Sequence, residues 1–441
     1  MRRQSLLALG GAVALTIPWI VSWLSGVAHG FSTVATVAIS GLSVLGASFL
    51  LAWGAETAEK DVPRAFAIAI LAVLAVAPEY AVDALYAWNA GAYAGTERGI
   101  EAGNLAVANM TGANRILIGI GWAGVALFTV FRNGSDEDAA VVNRPGFLAD
   151  AVALDRDIGL EIVFLFLATL WAFVVPFNGI DILDMVVLVG LYVAYIAVVL
   201  KGDMEAEEAH VGVPAYLQTF SKPLRALTVI TLFAYSGGMI FTAVEPFAHG
   251  LEQLGQNVGI PSFFMIQWIA PLASESPELI VVVYLVNKAR STAGFNALIS
   301  SKLNQWTLLI GTLVVVYSIA LGQYGALPFD QKQSGEIWLT AAQSFFAISL
   351  LINFEISVRE AIVLLVLFLT QVFSEFLLIR GVLELPINDY QLLLVFAGIY
   401  VVLGTALFVS RRRALGGILR DSAGTVNEAF FGSDDQPKGA D

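Results

Sequence analysis

The sequence predicts an all-α membrane protein of about twelve transmembrane helices that contains two inverted-topology repeats. Three observations predict it. The 441 residues are 58% hydrophobic and only 13% charged, where a soluble domain carries about 25% charged residues, and mean hydropathy is +0.77. Apolar runs of about the 20 residues that a bilayer demands recur along the whole chain. Two of those runs resemble two later ones and enter the membrane from the opposite side.

Composition excludes several functions first. There is no cysteine, which removes disulfide frameworks, thiolate metal sites and cysteine nucleophiles. His29, His210 and His249 fall in polar breaks, so no histidine-based catalytic or metal cluster is expected. The net charge of −13 argues against nucleic acid, which needs a basic face. No His-Glu-x-x-His or Gly-x-Gly-Asp motif is present and no Ser–His pair lies at span depth, so an intramembrane enzyme is not expected.

The apolar segments, in order, are Leu6–Leu24, Phe31–Gly54, Ala65–Trp88, Asn104–Phe131, Ile158–Phe177, Ile182–Leu200, Ala226–Phe247, Ile260–Val286, Ala293–Leu321, Ile337–Phe354, Ala361–Ile379 and Gln391–Val409. Arg2-Arg3 and Val27-Ala28-His29 would also suit a cleaved signal peptide. The first run is long for that purpose and a second span follows at once, so a retained anchor is expected. The polar, Gly-rich residues 411–441 read as a disordered cytoplasmic tail. With the N-terminus in the cytoplasm and strict alternation, only Arg98, Lys332 and Arg380 fall outside. Arg115 and Lys302 lie within spans, and every other basic residue falls inside. That bias supports the segment order and places both termini in the cytoplasm of a multi-pass cell-membrane protein.

Segments three and four carry Ala75-Val76-Ala77-Pro78-Glu79, then Gly103-Asn104 through Asn109, ending Ile116-Leu117-Ile118-Gly119. Segments eight and nine carry Ser274-Glu275-Ser276-Pro277-Glu278, then Phe295-Asn296 through Ser301, ending Leu308-Leu309-Ile310-Gly311. Asn104 aligns with Asn296 and Gly119 with Gly311 without a gap. Segment three enters from the cytoplasm and segment eight from outside. Oppositely oriented copies with interrupted helices are the build of secondary transporters, with the site between them.

The Pro-Glu pairs explain what such a site would hold. An ionised carboxylate at the bilayer centre costs at least about 2.5–3.5 kcal/mol, so Glu79, Glu275 and Glu278 need positive partners. Pro78 and Pro277 lack an amide hydrogen and crowd the carbonyl four residues back. That frees the carbonyls of Leu74 and Ala273 for a cation. Ser274 and Ser276 flank Glu275, Ser300 and Asn304 lie one turn apart on one helix face, and Asn109 remains in the poorer first copy. Six to eight hard oxygens suit Ca²⁺, and these residues can supply that many. A smaller monovalent or proton site is also feasible. Asp83, Asp184, Glu245 and Glu375 are the other acids in apolar segments, candidate partners or proton carriers. Arg115 and Lys302 read as snorkelling or ion-paired side chains; Lys302 alternatively offsets one glutamate.

These motifs resemble those of the cation/calcium exchanger superfamily, which includes the sodium/calcium exchangers. Its repeats carry Thr-Ser-x-Pro-Glu on one helix and Gly-Asn-x-x-Gly-Ser-Asn on the next. The resemblance covers residues 72–121 and 268–312 closely. It implies a ten-helix core of two inverted five-helix repeats, at 31–200 and 226–380, joined by a cytoplasmic loop at 201–225. One extra helix then stands at each end, at 1–30 and 388–410. It makes Glu79 and Glu278 the essential acids, with Ser274, Glu275, Ser300 and Asn304 in the polar positions around them. This chain departs at Ala75-Val76 for Thr-Ser, at Ala108 for serine, at Gly112 for asparagine, and at Val107 and Ile299 for close-packing glycines. Glu275 restores charge that the first copy has lost. The resemblance implies a secondary-active antiporter, calcium against sodium or protons, whose partners are small inorganic cations and the lipid bilayer, with no cofactor. A Na⁺/H⁺ antiporter and a non-transporting cation-binding membrane protein remain as alternatives.

Overall fold

The computed structural model describes residues 2–62, 76–132, 137–201, 211–384 and 386–431. Its helices are α1 (Arg2–Leu24), α2 (Thr33–Ala58), α3 (Ala77–Ala92), α4 (Glu97–Phe131), α5 (Gly159–Ala172), α6 (Ile182–Lys201) and α7 (Lys222–Asn257). They continue with α8 (Ser262–Asn287), α9 (Ser291–Leu321), α10 (Gln331–Leu351), α11 (Val358–Ile379), α12 (Asp389–Ser410) and α13 (Arg412–Phe431). Ten described helices are long and apolar enough to cross a membrane. They are α1, α2, α4 to α9, α11 and α12, with α5 extended to Arg156–Phe177. The protein is therefore a multi-pass, mostly helical membrane protein. Apolar residues such as Leu227, Ile230 and Phe241 point outward from α7, Phe241 with 87% of its surface exposed; such a face suits lipid.

Local chemistry sets several helix starts. Ser32, Thr96 and Asp330 accept from backbone amides in the first turns of α2, α4 and α10. Ser357 with Glu360, and Asn388 with Gln391, form capping boxes at α11 and α12.

The centre is built from α3, α4, α8 and α9, and its packing is reciprocal. The Pro-Glu helix α3 lies on α9, and the Pro-Glu helix α8 lies on α4. Each contact passes through a glycine. A Cβ on Gly91 would stand 2.4 Å from the Tyr317 carbonyl oxygen, and one on Gly112 would stand 1.8 Å from that of Gln267. Both α4 and α9 contain a π-helical turn, at Leu117–Trp122 and Gln305–Leu309. A π turn shifts the face that a helix presents and is frequent at functional sites.

Two features depart from the sequence reading. Strands β1 (Val141–Val142), β2 (Ala151–Ala153) and β3 (Glu355–Ser357) form a small antiparallel sheet in the order β1-β2-β3. It joins the α4–α5 connection to the α10–α11 connection. A single bridge between Ile180 and Leu327 joins the α5–α6 connection to the α9–α10 connection. The second departure is the tail. Residues 412–431, expected to be disordered, form α13. Leu415, Ile418 and Leu419 lie against Ile162, Val163 and Phe166 of α5, and Val426 and Ala429 continue that stripe onto the core. Glycines and charges masked an amphipathic period. The rest of the expected tail, from residue 432, lies outside the described residues.

One polar clamp fixes the α2 and α7 ends together. Arg225 donates to both oxygens of Asp61 at 2.6 Å and to the Phe220 carbonyl at 2.7 Å. The Arg225 hydrogen bond holds the Asp61 carboxyl below its usual range, against burial, which works the other way. A depressed carboxylate pKa contributes stability that is present above the unfolded value and lost as pH falls through the folded value. Asp61→Asn is expected to flatten the thermal midpoint against pH below about pH 4. A profile identical to that of the parent protein would show that the clamp contributes nothing.

Candidate cation site between the Pro-Glu helices

Glu79 sits in the first turn of α3, where the Val76 carbonyl accepts from the Tyr80 amide at 3.2 Å. Pro78 occupies the opening of this helix, where its missing amide hydrogen costs no helical bond. The role expected for it, freeing the Leu74 carbonyl within a helix, falls on a residue outside those described. The helix N-terminus also favours a carboxylate there. In contrast, α8 runs through Pro271 and Pro277 without a break. Pro277 therefore leaves the Ala273 carbonyl without its intrahelical donor.

Glu275 is fully buried, and Gln305 Nε2 donates to its Oε1 at 2.7 Å. Ser301 Oγ donates to Glu278 Oε1 at 3.0 Å. Ser301 and Gln305 lie one turn apart on α9 and face two glutamates three residues apart on α8. Glu79 lies within electrostatic reach of Glu278 and Glu275, and the Ser274 hydroxyl lies within hydrogen-bond reach of Glu79. Asn109 donates to Asp83 Oδ1 at 2.9 Å. Asp83 is buried one turn beyond Glu79.

The expected residues divide accordingly. Glu79 lies within electrostatic reach of Glu275 and Glu278 and beside Ser274, and Asn109 bonds to Asp83. The donors meeting the carboxylates are the Ser301 hydroxyl and the Gln305 amide of α9, whereas Ser300 is half-buried. Asn304 is buried. A one-residue step turns a helix by about 100°, and spacing alone does not fix which step faces the acids. Ser276 donates to the Leu272 carbonyl of its own helix. Glu245, read as a buried acid, is exposed. Asp184 accepts from Trp171 Nε1 at 2.8 Å and from the Asp181 amide at 3.0 Å, which makes it a cap at the start of α6. His249, placed in a polar break, lies within α7. Lys302 Nζ donates to Asn114 Oδ1 at 2.7 Å and stands 4.0 Å from the Trp306 ring centroid.

The site is rich in acceptors that no donor reaches. Among the described residues, Glu79 Oε2, Glu275 Oε2, Glu278 Oε2, Asn109 Oδ1 and Gln305 Oε1 are buried with no hydrogen-bond partner. Buried oxygens without donors require an explanation, and positive charge supplies one. Among the described residues no three His, Cys, Asp or Glu side chains converge as a single metal-binding group. A cation held here would therefore draw on the amide, hydroxyl and carbonyl oxygens as well as on the acids.

The family described as sodium/calcium exchanger protein matches residues 7–201 and 228–377. The crystal structure of the H⁺/Ca²⁺ exchanger CAX is 42% identical, with a TM-score of 0.83 over 96% of this chain and 98% of its own. The Ca²⁺/H⁺ antiporter protein YfkE is 13% identical, with a TM-score of 0.56 over 85% of this chain and all of its own; it shares the fold. No match is found among curated proteins. Two matched stretches that take in both Pro-Glu helices, with a relative this similar along its full length, make the chain a member of the sodium/calcium exchanger protein family.

Proposed function

We propose that the chain is a secondary-active antiporter that moves Ca²⁺ in exchange for protons by alternating access. The observation that carries this reading is that buried Glu79 and Glu275 and half-buried Glu278, on the two Pro-Glu helices, each keep one buried oxygen unpartnered. Three ionised carboxylates in a low-dielectric site should not reorient across the membrane empty. A bound calcium ion, or protons, supplies the missing positive charge. A ligand shifts states only through differential interaction, so only loaded forms cross and exchange follows. The reciprocal packing of α3 on α9 and α8 on α4 supports two halves related by inversion. Protons are favoured over sodium because the first copy has lost oxygen ligands at Ala75, Val76, Ala108 and Gly112. The 42% identical structure is itself described as an H⁺/Ca²⁺ exchanger. The distribution of basic residues supports cytoplasmic termini.

Purified protein in vesicles tests the reading. Radiolabelled calcium uptake driven by an imposed pH gradient, and absent under a sodium gradient, is the expected result. Uptake driven by sodium alone would replace the proton with sodium. Calcium binding without flux under either gradient would make the chain a non-transporting cation-binding protein.

A second expectation separates the two candidate hydroxyls. Ser301→Ala removes a hydrogen bond to a charged group, typically about 1.5–3 kcal/mol. It should weaken apparent calcium affinity roughly tenfold or more, while Ser300→Ala changes it little. The reverse order in half-saturation measurements would restore Ser300 as the ligand.

A further inference from the structure

Asp83 is a buried acid that the exchange mechanism above leaves without a task. It lies on α3 four residues beyond Glu79, so the two share a helix face. An acid at span depth is costly and calls for a reason. The alignment of the Pro-Glu pairs sets Val282 against Asp83, so the second copy has no acid there. Asn109 Nδ2 of α4 donates to Asp83 Oδ1 at 2.9 Å, and both residues are buried.

Asn109 occupies the place that Ser301 occupies in the second copy, in the alignment that pairs Asn104 with Asn296. Ser301 donates directly to Glu278 of its own Pro-Glu helix at 3.0 Å. Asn109 donates one turn further along, to Asp83. Its Oδ1 is left buried with no hydrogen-bond partner among the described residues, as is Glu79 Oε2.

We propose that Asp83 is a positioning residue for calcium binding: it holds the Asn109 amide by its nitrogen, so that Asn109 Oδ1 is presented to the cation as a ligand. An amide carries its donor and its acceptor on one carbon, and a carboxylate accepts only. Engaging Nδ2 therefore commits Oδ1 to another direction. A neutral carboxyl also keeps an acceptor oxygen, so the orientation does not depend on the charge of Asp83. The arrangement compensates for the oxygen ligands that the first copy lacks at Ala75, Val76, Ala108 and Gly112. Without Asp83 the amide is free to turn and to present N–H where the cation needs oxygen. The inference rests on the calcium reading above and deepens it.

Equilibrium binding of radiolabelled calcium to the purified full-length protein, beside uptake into vesicles, tests it. Asp83→Leu keeps the bulk and removes the acceptor. It should raise the half-saturating calcium concentration about tenfold and leave the maximal uptake rate little changed. Asp83→Asn, whose amide oxygen still accepts from Asn109, should recover most of the affinity. An aspartate at position 109 presents an oxygen whichever way it turns. The double variant Asp83→Leu/Asn109→Asp keeps the net charge of the pair and should therefore bind calcium at least as tightly as the parent protein. A defect that persists in the double variant would make Asp83 a packing residue and overturn the proposal, and so would unchanged affinity in Asp83→Leu. If Asp83→Leu fails to fold, Asn109→Ala serves instead, because it removes the oxygen itself; unchanged affinity there would overturn the proposal equally. A parent protein that binds no calcium would reject the exchange reading itself, an outcome distinct from any difference among the variants.

Discussion

Replacing Glu79 or Glu278 with glutamine is expected to lower calcium flux to the level of protein-free vesicles. The change preserves shape and removes charge. A glutamine amide also turns a donor toward the place where the unpartnered oxygens Glu79 Oε2 and Glu278 Oε2 now lie. Losing one member of a buried charge pair costs about 3–5 kcal/mol, a factor of roughly 100 or more in binding. Folding should survive, because Ser301 can still donate to the remaining side-chain oxygen at position 278. Gradient-driven uptake, measured beside thermal unfolding, separates the two effects. Full exchange retained in both variants would reject the site.

The spans were legible because the bilayer imposes one rule on every segment. Ile182–Leu200 became α6 at Ile182–Lys201, and Ala293–Leu321 became α9 at Ser291–Leu321. The Pro-Glu pairs were legible for a related reason: acids inside apolar runs stand out. What escaped needed partners distant in sequence. Segment ten was expected to begin at Ile337, after the charged residues, yet α10 begins at Gln331 and buries Glu336. Arg115, 221 positions earlier, makes that burial tolerable. Hydropathy cannot see such a pair. Ser301 and Gln305 escaped because helix rotation is set by packing against α8. The sheet escaped because its strands are two or three residues long. The helix at 412–431 escaped because its apolar residues are sparse, and only the packed surface of α5 and α6 gives them something to cover.

The ion pair that hides Glu336 carries the largest expected effect on stability. Arg115→Met should destabilise the protein by about 3–5 kcal/mol, the usual cost of stripping one partner from a buried pair. Arg115 and Glu336 both have completely buried side chains. The Arg115 guanidinium also lies 4.8 Å from the Trp268 ring centroid, so methionine loses a cation–π contact on α8. Glu336→Gln should cost less, since an amide can still accept from Gln267 and Arg115. The double variant Arg115→Met/Glu336→Gln decides the cause. If the penalty is an unpaired buried charge, the double variant melts above Arg115→Met alone, because the stranded carboxylate has gone. If the penalty is lost packing against Trp268, the second change adds to the first and the midpoint falls further. The two outcomes have opposite signs, so thermal unfolding in one detergent distinguishes them.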